Sequence, residues 1–97
     1  MIIRTVTYKR ADTSIPFWQP SQSQQQHLDY INNGKMISFD SATPDQYTQI
    51  KTIKFIDRAA MEEYMSDPDI MQKHAERDAY HQIHGITRDH DDIEEEV

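Results

Sequence analysis

The run from Asp57 to Gly85, DRAAMEEYMSDPDIMQKHAERDAYHQIHG, constrains this chain more than any other segment. It reads as helix with one interruption, at Ser66-Asp67-Pro68. Proline lacks an N–H and its ring clashes with the preceding turn, so a single helix does not run through it. Asp57 is placed to cap the first piece, and Asp67 or Asp69 to restart the second. Gly85 sits where a helix end wants a left-handed residue. Upstream, YTQIKTIKFID is the best strand in the chain, and downstream ITRDH reads as a short final strand. Strand, broken helix and strand together form half of a two-layer sheet-and-helix unit.

The other half has the same order. Ile2 to Lys9 carries β-branched and aromatic residues throughout and predicts a strand. Pro16 and Pro20 discourage helix, so residues 11 to 19 read as a loop. Ser21 can cap a short helix that ends at Gly34, with Leu28 and Ile31 on its weak apolar face and Gln24–Gln26 toward solvent. Lys35 to Asp40 alternates as a strand, and SATPDQ follows as a turn-rich connector. The order β-α-β-β-α-β is that of an α+β, ferredoxin-like sandwich. Within the second long helix Met71, Ala75, Ala79 and Ile83 form an i, i+4 stripe that is expected to pack on the sheet.

Composition bounds the function. Ninety-seven residues make one domain with a thin core, and 36% hydrophobic residues is low enough that a homodimer partner would help stability. There is no cysteine, hence no disulfide, thiolate metal site or cysteine nucleophile. The N-terminus has no signal-peptide core and no apolar run approaches a membrane span, so a soluble cytoplasmic protein is expected. The net charge of −7 is concentrated at the end: Asp89 to Val97 holds six acidic residues and no Lys or Arg. Residues 1–88 are therefore read as the domain and 89–97 as a solvated acidic tail. Nucleic-acid binding is not expected without a basic patch. Two glycines leave no P-loop or dinucleotide fingerprint, and no G-x-S-x-G marks a serine nucleophile.

His74, Arg77 and His81 follow at spacings that put them on one flank of the second helix, with Ile70 beside them. That flank borders the apolar stripe, where a cleft would open. Histidine titrates near neutrality, which makes either one a candidate general base, with local hydrogen bonding the plainer role. His74 and His81 stand about 10 Å apart along a helix and do not share a metal ion; no metal site is expected. Tyr8, Phe55 and Tyr64 supply bulk for a pocket or for the core. Ile15-Pro16-Phe17-Trp18 is the most apolar loop, and it reads as a lid, a dimer contact or packing over the domain's own end.

The strand ending in Phe55, then D-x-A-A-M-x-x-Y-M-x-D-P from Asp57 to Pro68, then a helix with A-x-x-x-A-Y and a closing strand resembles the dimeric α/β-barrel superfamily. This group includes antibiotic-biosynthesis and haem-degrading monooxygenases. The resemblance spans Ile2 to about Asp89. It implies a homodimer of two four-stranded sheets, with a ligand cleft between sheet and helices in each subunit. His74, following Ser66-Asp67-Pro68, resembles the haem-iron ligand of the haem-degrading members. Their first-strand asparagine and third-strand tryptophan correspond to Thr5 or Thr7 and Phe55 here. The expected function is binding of an apolar or aromatic small molecule, with His74 as the catalytic candidate and Tyr8, Trp18, Phe55, Arg77 and His81 around the ligand. Cofactor-independent monooxygenase-like activity is the expected chemistry, haem the alternative cofactor. A non-catalytic interaction protein, acting through its dimer surface or acidic tail, is the alternative function.

Overall fold

The computed structural model describes residues 1–18 and 25–95, with backbone alone for 25–27. Ile2–Lys9 forms β1, Gln25–Asn32 α1, Met36–Asp45 β2 and Thr48–Phe55 β3. Arg58–Ser66 forms α2, Pro68–His84 α3 and Thr87–Glu94 β4. The four strands make one antiparallel sheet in the order β2-β3-β1-β4. This is the ferredoxin-like arrangement, with β1 central because it pairs along its whole length with both β3 and β4.

Local chemistry places the helix ends. The Asp57 carboxylate accepts from the Ala60 N–H at 2.8 Å and starts α2. Asp67 closes α2 and caps α3 at once: its backbone N–H donates to the Tyr64 carbonyl, and its carboxylate accepts from the Asp69 N–H at 3.0 Å. Pro68 then occupies the first turn of α3, where its missing N–H costs nothing. The second Asp67 oxygen accepts from the Tyr30 hydroxyl at 2.9 Å, which ties α1 to the helix break. Burial and that carboxylate push the Tyr30 hydroxyl up to about 12. Gly85 ends α3 at φ 67°, a left-handed conformation.

Three sequence expectations are corrected. The connector at Ser41–Asp45 belongs to β2, and the turn shrinks to Gln46 and Tyr47. Pro44 is tolerated because β2 is an edge strand whose outer side needs no ladder donor, and the register shifts between Ala42 and Asp45. The acidic residues Asp89 to Glu94, expected as a disordered tail, form most of β4. Backbone pairing with β1 and an Arg4–Asp92 ion pair hold them, and the Met1 amino group reaches the Glu95 carbonyl at 2.8 Å. The proposed helix cap Ser21 lies outside the described residues, as does Gln24; of the glutamine run only the Gln25–Gln26 backbone is described, in α1.

The third correction concerns α3. Met71 and Ile83, expected against the sheet, are 55% and 77% exposed, and Ala75 and Ala79 are exposed with them. The buried face is the opposite one: Ile70, Lys73, Arg77 and His81. Long cationic side chains cover apolar surface with their methylenes while the charged ends seek polar surroundings. The hydrophobicity pattern counts them as polar and so points the wrong way. No helix among the described residues is long and apolar enough to cross a membrane.

Two apolar clusters result. One holds Ile2, Met36, Ile53, Phe55, Met61, Tyr64 and Ile70; the other holds Val6, Tyr8 and Ile86 with Ile15, Phe17 and Tyr80 against it. On β1, Arg4 separates Ile2 from Val6. On α3, Lys73, His74 and Arg77 separate Ile70 from Tyr80. The core is thus split by a polar layer.

Candidate functional site

That layer contains a cavity of about 290 Å³ between α3 and the helix-facing side of the sheet. The period-2 alternation of strands supplies its floor: Arg4, Val6 and Tyr8 from β1, and Gln49, Lys51 and Ile53 from β3. Ile70, Lys73, His74 and Arg77 of α3 roof it, with Tyr64 and Met65 of α2. Phe39 and Ser41 of β2, Arg88 of β4 and Trp18 complete the lining.

Four of the six residues expected at the site meet here: His74, Arg77, Tyr8 and Trp18. The other two do not line the cavity. Phe55 is fully buried in the first apolar cluster, where an aromatic at a strand end fills the space beneath Tyr64, ring centroids 5.4 Å apart. His81 stands behind Tyr8, ring centroids 5.2 Å apart, and is 8% exposed. Arg4, Lys51, Lys73 and Arg88 were missed. For two of them the signal was present in the strands: Arg4 shares a face with Ile2 and Val6, and Lys51 with Ile53 and Phe55, so each points at the helices.

The electrostatics are unusual for so small a domain. Five cationic side chains line the cavity, and among its described lining residues there is no Asp or Glu. Arg4 is matched by Asp92, and Arg77 leans on the exposed carboxylate of Asp78 at 3.1 Å. Lys51 lies over the Tyr8 ring at 5.5 Å, and Arg88 Nε is buried with no hydrogen-bond partner among the described residues. Burial, then the Arg77 charge, pushes the Lys51 ammonium down. Burial does the same to His74, helped by Arg77, Arg88 and Arg4, and brings it to about 4. His81 is lowered too, by burial first and then by Arg77. His74 is therefore a neutral imidazole at neutral pH, and its surroundings oppose protonation. Burial pushes the Tyr64 hydroxyl up, so it stays protonated.

The apolar loop is fastened over this end of the molecule. The Tyr80 hydroxyl of α3 donates to the Pro16 carbonyl. Arg10 donates to the Ile15 carbonyl at 2.8 Å and stacks its guanidinium 4.5 Å from the Phe17 ring centre. These contacts bring Trp18, the only tryptophan, to the cavity wall.

No protein-family model and no curated protein sequence matches the chain. Solved structures do. A candidate antibiotic biosynthesis monooxygenase from Deinococcus radiodurans superposes with a TM-score of 0.65 at 11% identity, covering 100% of this chain and 94% of that one. This chain shares its ferredoxin-like fold with that protein. A hydroxynitrile lyase from Passiflora edulis shares that fold with a TM-score of 0.53 at 16% identity, covering 99% of this chain and 96% of that one. The resemblance to the dimeric α/β-barrel superfamily therefore holds at the level of the fold. The haem-enzyme correspondence is not reproduced at this cavity. Thr5 and Thr7 alternate with the buried residues of β1 and face the other side of the sheet, and Phe55 is core. Only His74 of those positions lines the cavity.

Proposed function

We propose that this protein binds a small aromatic molecule in the cavity beneath α3, and that His74 acts there as general base in a cofactor-independent oxygenation. The observation that carries this reading is the place of His74 on a cavity that Val6, Phe39, Ile53, Met65 and Ile70 line with hydrocarbon on one side and Trp18 edges. A lyase and a candidate monooxygenase on one fold mean that the fold does not choose the chemistry, so the assignment rests on the cavity. An imidazole held near 4 is a weak base, so His74 removes an acidic C–H or O–H proton only where a negatively charged ligand beside it raises its basicity toward neutrality. The resulting carbanion or phenolate is electron-rich enough to reduce dioxygen itself. For an activated ring methylene the balance is CH2 plus O2 giving C=O plus water.

The reading includes a homodimer formed through the sheet face that the helices leave uncovered. Ile3, Thr5 and Thr7 of β1 lie on that face beside Ile50 and Thr52 of β3. A second reading, that of an interaction protein, is favoured by the exposed Met71 and Ile83 on α3.

The test follows dioxygen uptake with an anthrone, together with quenching of Trp18 emission by 1-naphthol. Ser41→Phe, which narrows the cavity from the edge strand, is expected to abolish quenching, and His74→Gln to abolish uptake while quenching persists. Quenching unchanged by Ser41→Phe would remove the cavity from the account and leave the interaction reading.

A further inference from the structure

We infer that the cavity recognises an organic anion: an aromatic body carrying a carboxylate, which Lys51, Arg77 and Arg88 receive. This rests on the small-molecule reading above and gives the ligand its chemical class.

The lining divides into two poles. Val6, Phe39, Ile53, Met65 and Ile70 present hydrocarbon suited to a ring. Lys51, Arg77 and Arg88 present positive charge from three different elements, β3, α3 and β4. A folded protein rarely buries cations without matching carboxylates, because taking a charge out of water is costly unless it is paired. Among the described residues, Lys51, Arg77 and Arg88 have fewer carboxylates in reach than they have charges. Arg4 takes both oxygens of Asp92, so that pair is closed. Arg77 reaches only its sequence neighbour Asp78, whose side chain is 64% exposed, which leaves the guanidinium poorly matched. Lys51 contacts the Tyr8 ring, a weak substitute for an anion. Arg88 Nε is buried and has no hydrogen-bond partner among the described residues, which costs free energy unless something accepts from it.

Lys51, Arg77 and Arg88 line the same cavity as His74. Arg77, Arg88 and Arg4 all act to keep that imidazole unprotonated. A ligand carboxylate in the same space satisfies the Arg88 donor, lies against Arg77 and restores the Lys51 ammonium to its ordinary basicity. The negative charge also bears on the proposed chemistry. The same cations that hold a carboxylate would steady the negative charge that develops when His74 removes a proton. Selectivity is the main consequence: an uncharged isostere leaves the buried cations unmatched and binds less well.

The experiment compares 1-naphthoate with the neutral 1-naphthamide by titration calorimetry, with quenching of Trp18 reporting occupancy of the cavity. The expected result is that naphthoate binds about tenfold tighter or more, the effect of charge-assisted hydrogen bonds. Lys51→Met and Arg88→Met should each remove most of that preference while changing naphthamide affinity little. Circular dichroism checks that each variant folds, and Arg88, near the sheet edge, serves if Lys51→Met does not. Equal affinity for the two compounds, with quenching by both, overturns the anion class and leaves a small-molecule site standing. Naphthoate binding that is indifferent to both variants overturns it as well. Failure of both compounds to quench Trp18 overturns this inference together with the reading it rests on.

Discussion

Arg4 and Asp92 form a two-pronged ion pair across the β1–β4 ladder, Nε to Oδ1 at 2.8 Å and Nη2 to Oδ2 at 2.9 Å. They are direct register partners, so the pair locks β4 to the central strand. It also removes Arg4 from the set of cations available to a ligand. Asp92→Asn is expected to cost about 1–3 kcal/mol, because a buried guanidinium loses a charged acceptor. Chemical denaturation measures it. The hydrogen bond from Arg4 holds the Asp92 carboxyl below its ordinary value. Its contribution is thus complete above the unfolded carboxylate's pKa of about 3.9 and is lost as pH falls through the folded value. The variant should show a shallower loss of stability in acid.

Deleting residues 89–97 is expected to unfold the protein and not merely to detach a tail. The deletion removes most of β4 and exposes one whole side of β1. Loss of the cooperative thermal transition checks this. A truncated protein that melts like the full chain would show that β4 contributes nothing.

His74 should titrate with a midpoint near 4, read from its imidazole proton shifts. The unfolded chain binds that proton near pH 6.5, so stability falls as pH drops from about 6.5 toward 4 and then levels. His81, also lowered by burial, adds to the same slope. His74→Gln is expected to reduce the slope without abolishing it.

Tyr80→Phe removes the donor that holds Pro16 and should release the loop bearing Trp18. About 1 kcal/mol of stability is at stake, the ordinary net value of one hydrogen bond. The sharper readouts are a red shift of Trp18 emission and faster ligand dissociation.

Gly85→Ala should cost about 1 kcal/mol through backbone conformation alone, since φ is 67° and an added Cβ meets nothing within 4 Å. Thermal melts check this, and Gly34, with φ 74° and equal open space, serves as the parallel case.

The fold was legible because its punctuation is local. Asp57, Asp67-Pro68 and Gly85 act on their own turns, and the structure uses each as its residue type dictates. β4 was only half legible: the acidic end read as a solvated tail, while an edge strand with one face toward solvent accepts Asp89, Asp91, Asp92 and Glu94 readily. The buried face of α3 was misread because Lys73, Arg77 and His81 bury their stems and Met71 and Ile83 do not. Periodicity alone does not separate a solvated cation from one turned inward. For the same reason the cavity's charge was invisible, although Arg4 among the apolar residues of β1 and Lys51 among those of β3 carried it.

The central claim is that the space beneath α3 is a ligand site. Methyl-resolved NMR during titration with 1-naphthoate tests it most directly. The methyls of Val6, Ile53, Met65 and Ile70 are expected to shift together and saturate, while those of Met71, Ile83, Ile37 and Ile93 on the surface stay fixed. Saturating shifts confined to Met71 and Ile83, with the cavity methyls unmoved, would contradict it.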